Sequence, residues 1–186
     1  MTTVNESVRQ NRYSLGGLRL GALIAVALAV ALILWLTLKD NGSDNKPAGA
    51  VAASPQDLQA VPDSVKHPVY WAGRRAGYTY ELSKTARGVY VRYLPPGVGV
   101  GDQHPKYLTI ASYPYPRAYA TLSKAAKTKG AVSSKLAGGG IAVVSAQQPK
   151  SVYIAFPSAN LQVEVYDPSP RRARQLAFSG RVVPVR

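Results

Sequence analysis

The chain divides into one unbroken apolar stretch and a longer region in which apolar and polar positions alternate over short distances. Residues 20–38 form 19 consecutive positions without a charged side chain. About 20 apolar residues in a helix span the hydrocarbon core of a bilayer. A small domain has no means of covering such a helix on every side. The pattern therefore predicts an N-terminal transmembrane helix over residues 20–38.

A cleaved signal peptide is the alternative interpretation of this stretch. Signal peptides have a shorter apolar core of about 7–15 residues, with a small-residue cleavage site soon after it. Here the nearest small-residue motifs, around Ala48–Ala52, lie about ten residues beyond the segment, which favours a stable anchor. Three Arg residues precede the segment and two Lys residues follow it closely. Because Lys and Arg concentrate on the cytoplasmic side, we expect residues 1–19 to form a disordered cytoplasmic tail.

Residues 39–64 are rich in Asp, Ala, Ser, Pro and Gly. This composition is typical of a flexible linker that holds a domain away from a membrane. Within it, Ser54 followed by Pro55 has the order of an N-cap and a first helical residue, which indicates a short helix. We expect a linker over residues 39–64, followed by an extracytoplasmic domain.

From residue 65 onwards the hydrophobic period is that of short strands and two helices. Residues 78–83 and 89–93 alternate between apolar and polar side chains across a link of hairpin length. Further strands are expected at residues 107–111, 141–145, 151–156 and 161–166, and helices from Pro116 to about Lys129 and over residues 169–178. The order β-β-β-α-β-β-β-α with short links predicts an α+β domain with a mainly antiparallel sheet over residues 65–186.

Charge adds a partner class to this architecture. The chain has 23 Lys and Arg residues against 9 Asp and Glu residues, and residues 65–186 hold 18 of the cations and only 4 of the acids. A basic surface attracts anions. Outside a bacterial membrane these are lipid head groups, anionic wall polymers or acidic proteins, and the expected topology argues against nucleic acid. Solvation of the domain is the alternative role for the charge.

Three arginines are the candidate anion contacts. Arg171, Arg172 and Arg174 fall near the start of the second predicted helix, where the helix dipole disfavours cations. A bound anion would meet both free backbone N–H groups and guanidinium groups there. Alternatively, Glu164 and Asp167 neutralise these arginines.

Two tyrosines are candidates for surface recognition. Tyr113 and Tyr115 alternate with prolines in a segment that we expect to be a turn before the first predicted helix. Tyrosine at an exposed turn presents an apolar ring with a polar tip to a partner.

Candidate catalytic groups are few. Asp102 and His104 lie two residues apart in a glycine-rich stretch, as an acid–base pair requires, but no nucleophile motif accompanies them. The chain has no Cys and two His, so we expect no metal and no cofactor. We therefore expect a non-enzymatic, membrane-anchored binding module. An envelope-acting hydrolase using His104 and Asp102, or a ligand-sensing domain, are the alternatives.

Several motifs resemble those of a group of uncharacterised single-pass bacterial envelope proteins. The resemblance rests on His67-Pro68-Val69-Tyr70-Trp71-Ala72-Gly73, together with Tyr80-Glu81-Leu82 and residues 163–168. It implies the same order of one N-terminal hydrophobic segment, a polar linker and a small domain, and it implies no activity. By analogy of fold alone, the order of elements also resembles a sandwich of the PsbP-like kind.

Overall fold

The fold is an antiparallel sheet with helices on both faces, seen in a computed structural model that describes residues 49–186. The strands are β1 (Ala50–Ala53), β2 (Tyr70–Trp71), β3 (Thr79–Thr85), β4 (Gly88–Leu94), β5 (Thr109–Pro114), β6 (Ala131–Lys135), β7 (Ile141–Ser145), β8 (Ser151–Ala155), β9 (Leu161–Tyr166) and β10 (Val183–Pro184). The helices are α1 (Pro55–Val65), α2 (Ala118–Ala125) and α3 (Pro170–Phe178), with a single 3₁₀ turn at Ala137–Gly139.

Eight of these strands form one sheet in the order β1-β3-β4-β5-β9-β8-β7-β6. All of its neighbouring strands are antiparallel. The short strands β2 and β10 pair separately. The prediction of an α+β domain with a mainly antiparallel sheet is therefore confirmed.

The sheet consists of two four-stranded halves that meet at its centre. One half contains β1, β3, β4 and β5 and leads into α2, and the other contains β6, β7, β8 and β9 and leads into α3. The halves join through β5 and β9, with Ser112 opposite Val163. This central pairing joins parts of the chain that are about 50 residues apart, so the sheet forms only when both halves are present.

One face of the sheet carries the main hydrophobic core. Val91, Ile110, Val163 and Val165 point to this face and are fully buried. Helices α1 and α3 pack their apolar residues into the same core, which contains Leu58, Val61, Ala173, Leu176 and Ala177. Burial of each large aliphatic side chain contributes about 1.5–3 kcal/mol. The opposite face is covered by α2, which contacts β7, β8 and β9.

Residues 50–64 belong to the folded domain, although the sequence assigned them to a linker. Strand β1 extends the sheet beside β3, and Leu58 and Val61 of α1 are buried. Ser54 does cap α1: its Oγ accepts from the Asp57 N–H at 3.1 Å, and its own N–H donates to the Asp57 carboxylate at 2.8 Å. The short helix predicted at Ser54 is therefore present, but Pro62 inside it, where proline is normally unfavourable, gave no sign that the helix packs into the domain.

The strands that the sequence missed lie at sheet edges or are very short. β6 is an edge strand of small and polar residues, and β2 and β10 have two residues each. None has the alternation that reveals a half-buried strand. The predicted series corresponds to β3, β4, β5, α2, β7, β8, β9 and α3.

The predicted tail over residues 1–19 and the predicted transmembrane helix over residues 20–38 lie outside the described residues. Among residues 49–186, no helix is both long enough and apolar enough to cross a membrane.

The two ends of the sheet differ, and the candidate site lies at one of them. We define the cleft end as the end where β3, β5, β6 and β8 begin and where β4, β7 and β9 finish. Helix α3 starts at this end because it follows directly on β9. The described part of the chain starts at the opposite end, where Ala50 of β1 pairs with Ser83.

Candidate functional site

A cleft of about 210 Å³ opens at the cleft end of the sheet. We call it the basic cleft, and its walls are Arg75, Tyr78, Tyr93, Pro95, Lys106, Tyr107, Leu108, Asp167 and Arg172. These residues come from the loop before β3, the end of β4, the long connection between β4 and β5, and the junction of β9 with α3. Three cations and a single carboxylate therefore meet in one cleft, which gives it a net positive charge.

Three tyrosines hold Arg75 in place, one through its backbone N–H and two through its guanidinium group. Its backbone N–H donates to the Tyr80 hydroxyl at 2.8 Å. Its guanidinium carbon lies 5.7 Å from the centre of the Tyr78 ring and 5.4 Å from that of Tyr93. A guanidinium within about 6 Å of an aromatic face is stabilised there. Arg75 is therefore oriented in the cleft by aromatic rings, and it forms no ion pair with a carboxylate in residues 49–186.

Tyr93 holds the segment that precedes Arg75 in the chain. Its ring is buried, and its hydroxyl accepts from the Ala72 N–H at 2.7 Å and donates to the Gly73 carbonyl at 3.1 Å. Burial raises the pKa of Tyr93 well above its ordinary value, so the hydroxyl stays neutral. Tyr93 thereby ties the segment before Arg75 to the sheet.

Arg172 is held by the one carboxylate of the cleft. Asp167 follows β9 and is buried, and its Oδ1 accepts from the Ser169 N–H at 2.8 Å and from Arg172 Nε at 3.0 Å. The Arg172 side chain is still 63% exposed. Among the described residues, no acceptor bonds to its Nη atoms, so this edge of the guanidinium group remains open to a ligand.

Lys106 completes the cationic wall, and its loop is clamped to the sheet. Arg92 of β4 pairs with the buried carboxylate of Glu81 at 2.5 Å and donates to the carbonyls of Asp102 and His104 at 2.9 and 3.2 Å. The Gly101 N–H donates to the other Glu81 oxygen at 2.6 Å. These bonds position the residues 95–108 connection, and with it Lys106 and Tyr107.

The three predicted anion contacts lie at the start of α3, as the sequence placed them, but only one lines the cleft. Pro170 is the first helical residue, so Arg171, Arg172 and Arg174 fall in the first turns. Arg172 enters the basic cleft, whereas Arg171 and Arg174 are exposed outside it. Of the two acids considered for neutralisation, Asp167 does pair with Arg172.

Glu164 does not neutralise the arginines. It lies on the face of the sheet that α2 covers, where its Oε1 accepts from Ser151 Oγ at 2.6 Å. Burial raises the pKa of Glu164 above its usual range, and the Ser151 bond offsets only part of this effect. No cation forms an ion pair with it among the described residues. The sequence gave no sign that Glu164 is buried, because it alternates with valines as a solvent-facing residue does.

Tyr113 and Tyr115 differ from their predicted setting. Tyr113 lies in β5 rather than in a turn, and its hydroxyl accepts from Gln162 Nε2 at 2.8 Å. Burial raises the pKa of Tyr113, chiefly because its ring is enclosed on the sheet. Tyr115 is partly buried, and its N–H donates to the Asn160 carbonyl at 2.9 Å. Tyr113 is therefore a packing residue rather than an exposed recognition residue.

Asp102 and His104 are brought together, in the same loop that carries Lys106. His104 Nδ1 lies 2.9 Å from Asp102 Oδ1, and the His104 ring is 64% exposed. Burial acts to raise the pKa of Asp102, but the hydrogen bonds from the His104 N–H and ring outweigh it and hold the pKa below its usual value. In the described part of the chain, no serine or threonine hydroxyl bonds to this pair.

The sequence did not reveal Arg75 or Lys106 as site residues. Arg75 is one of two adjacent arginines in a loop and Lys106 is a single lysine in another, and only the strand order brings them beside Arg172. The described residues contain no group of three His, Cys, Asp or Glu side chains able to hold a metal ion.

Comparison with known proteins identified no related protein. No protein-family model matches the chain, no curated protein matches it, and no solved structure matches it.

Proposed function

We propose that this protein is a non-enzymatic binding module that holds an anionic group in the basic cleft. One observation carries the proposal: Arg75, Lys106 and Arg172 converge from three separate segments on one cleft with a single carboxylate. That carboxylate, Asp167, orients Arg172 through Nε and leaves its other nitrogens available. Charge-assisted bonds to phosphate or carboxylate groups are the strong hydrogen bonds of proteins.

The apolar segment supports a location for this module. We propose that residues 20–38 anchor the chain in a bacterial membrane with residues 49–186 on the extracytoplasmic side, since the basic residues flanking the segment favour a cytoplasmic N-terminus. The anion would then belong to an envelope component or to an acidic protein. Protease treatment of intact cells should remove a C-terminal tag, and a tag that is protected until the cells are lysed would contradict this orientation.

The binding proposal is tested by titrating the full chain with inorganic pyrophosphate in a calorimeter. The triple variant Arg75→Gln, Lys106→Gln, Arg172→Gln removes the three cations of the cleft, and its affinity should fall by more than about tenfold. The matched control is Lys84→Gln, Arg87→Gln, Lys135→Gln, which removes three exposed cations at the opposite end. Beyond about 8–10 Å their field is screened at physiological salt, so the control should bind almost as the unchanged chain does.

Equal losses of affinity in the two triple variants would contradict the proposal, because pyrophosphate would then respond to net charge alone. The single change Lys106→Gln guards against a variant that fails to fold. Lys106 is exposed and forms no ion pair with a described residue, so its removal leaves the packing intact. It should weaken pyrophosphate binding several-fold without changing the thermal unfolding temperature.

A further inference from the structure

Exposed cations continue from the basic cleft along the cleft end of the sheet. Within the cleft, Arg75 lies just before β3, Lys106 just before β5 and Arg172 just after β9. In strand order, β8, β7 and β6 come next beyond β9. At the cleft end, the turn from β7 to β8 and the link from α2 to β6 therefore continue a line that starts at the cleft.

Three lysines occupy those turns. Lys150 directly precedes β8, and its carbonyl accepts from the Asp167 N–H at 3.1 Å, which places it beside the cleft. Lys127 and Lys129 lie between α2 and β6, where the Gly130 carbonyl accepts from the Ala146 N–H at 2.9 Å. All three are exposed and form no ion pair with a described residue.

We call the whole set the cation row: Arg75, Lys106, Arg172, Lys150, Lys129 and Lys127. It extends from β3 to β6, which is six steps between neighbouring strands. At about 4.8 Å a step, the row is about 29 Å long. A single phosphate or carboxylate occupies only a few ångströms, so one small anion leaves most of the row unused.

The aromatic residues beside the row indicate how its ligand is recognised. Tyr78 and Tyr107 are partly buried, with the guanidinium groups of Arg75 and Arg92 over their rings at 5.7 and 5.3 Å. Beyond the cleft, the segments at residues 126–130 and 146–150 contain no aromatic residue. Single-stranded nucleic acids are bound through bases stacked on aromatic rings. Outside the cleft, Tyr166 at the end of β9 is the one aromatic residue beside the described row, and its hydroxyl is bonded to the Pro105 carbonyl at 2.8 Å. The segments that carry Lys150, Lys129 and Lys127 offer charge rather than stacking positions.

We propose that the cation row binds a linear polymer that carries a phosphate or a carboxylate on each repeat unit and is recognised by its charges. The inference rests on the proposed function, since one anion of the polymer would occupy the basic cleft. Successive anions would follow the sheet end past Lys150 to Lys129 and Lys127. The row thus extends a one-anion site into a site for an extended polyanion.

The experiment compares short and long anions on the full chain. Pyrophosphate and digalacturonate occupy the cleft alone, whereas polyphosphate and oligogalacturonate chains longer than about 29 Å reach the whole row. We expect affinity to rise with chain length for the phosphate series, the carboxylate series or both, and the series that shows the rise identifies the anion. Absence of a length dependence in both series would overturn the proposal.

A second triple variant tests the part of the row that lies beyond the cleft. Lys127→Gln, Lys129→Gln, Lys150→Gln should lower affinity for the long polymer about tenfold at low salt. The slope of log affinity against log salt should fall by about two, as expected for three contacts on a flexible polyanion. Pyrophosphate binding should fall by less than about twofold, because of these three lysines only Lys150 lies beside the cleft. The control remains Lys84→Gln, Arg87→Gln, Lys135→Gln, which removes the same charge from the opposite end.

The outcomes distinguish the two proposals. If the second triple variant and its control bind the long polymer equally well, the row beyond the cleft does not bind the polymer, although the cleft can still hold pyrophosphate. If removal of the three cleft cations leaves pyrophosphate binding at the control level, the proposed function itself fails. Oligothymidylate that binds more tightly than polyphosphate of equal charge would overturn recognition by charge alone.

Discussion

Glu164 is the residue whose setting has the clearest measurable consequence. Its carboxyl is buried beneath α2, donors reach it only as neutral hydroxyl groups, and its pKa is raised. A group with a raised folded-state pKa binds its proton more tightly in the folded protein. Its contribution to stability is therefore complete below the unfolded pKa of about 4.3 and is lost as pH rises through the folded pKa.

We predict that Glu164→Gln removes this pH dependence. Between the unfolded and folded pKa values of Glu164, the unchanged protein should lose up to about 1.4 kcal/mol of unfolding free energy per pH unit relative to the variant. Gln still accepts the Ser151 hydrogen bond, so the packing remains. Urea unfolding from pH 4 to pH 8 measures the difference, with the exposed Asp63→Asn on α1 as the control. Parallel pH profiles for Glu164→Gln and the unchanged chain would contradict the burial argument.

The alternation of residues 161–166 predicted β9 correctly but misplaced the environment of Glu164. Leu161, Val163 and Val165 do share one face, and Glu164 lies on the other. In a two-layer domain that second face is exposed to water. Here α2 covers it, and single-sequence periodicity contains no information about which helix covers which face.

At the scale of elements, the connection between β4 and β5 is the part of the site most open to test. Arg92→Gln leaves the Glu81 carboxylate buried without its cation and removes the donors to the Asp102 and His104 carbonyls. Breaking one partner of a buried pair costs about 3–5 kcal/mol. Because the Arg92 side chain is partly exposed, we expect a loss near the lower limit, about 3 kcal/mol.

Urea unfolding measures the loss of stability in Arg92→Gln, and hydrogen exchange measures how firmly the β4–β5 connection is held. Exchange should accelerate in residues 97–105, and pyrophosphate affinity should weaken because Lys106 loses its fixed position. Lys84→Gln, an exposed change on the neighbouring strand β3, should alter stability by less than about 0.5 kcal/mol. Unchanged exchange in the loop would show that Arg92 does not hold it.

The start of the folded domain is a second prediction about elements. A chain that begins at residue 49 keeps β1 and α1 and should unfold cooperatively. A chain that begins at residue 65 lacks Ala53, Leu58 and Val61, which are buried in the core. Since loss of one buried Leu alone costs about 2–5 kcal/mol, the shorter chain should be unfolded or aggregated. Circular dichroism and thermal melting distinguish the two, and equal melting temperatures would show that α1 is dispensable.

The elements differ in how far sequence reasoning reached them. β9 has the predicted bounds because its alternation is regular, and β7 has them because a short apolar run lies between Gly140 and Ala146. α1 was assigned to a linker because Pro62 and many small residues conceal two buried positions, Leu58 and Val61. The basic cleft was found only in part: Arg172 was a candidate, but Arg75 and Lys106 join it through the pairing of distant strands.

For the whole molecule, the arrangement of charge connects stability with the proposed binding. Residues 65–186 carry 18 cations and 4 acids, and three of those acids are already paired with Arg92, His104 or Arg172. Like charges repel in the folded state and separate in the unfolded chain, so an unpaired cluster of cations costs stability, above all at low salt. Clustering is therefore unfavourable for the fold, and binding of the proposed polyanion would offset this cost.

If the clustered cations bind a polyanion at a cost in stability, removing them should weaken binding and stabilise the fold. In a chain starting at residue 49, Lys127→Gln, Lys129→Gln, Lys150→Gln should raise the free energy of unfolding by about 0.5–1 kcal/mol at low salt, and added salt should abolish the gain. The change Lys84→Gln, Arg87→Gln, Lys135→Gln removes equal charge from the opposite end, so its gain calibrates the effect of net charge. Urea unfolding at low and high salt measures both. If the row is placed for binding, the first of these variants should give the larger gain, because Lys150 adjoins the cleft cations and Lys129 and Lys127 continue the same row. Equal gains would mean that the positive charge is spread evenly and serves solvation rather than recognition.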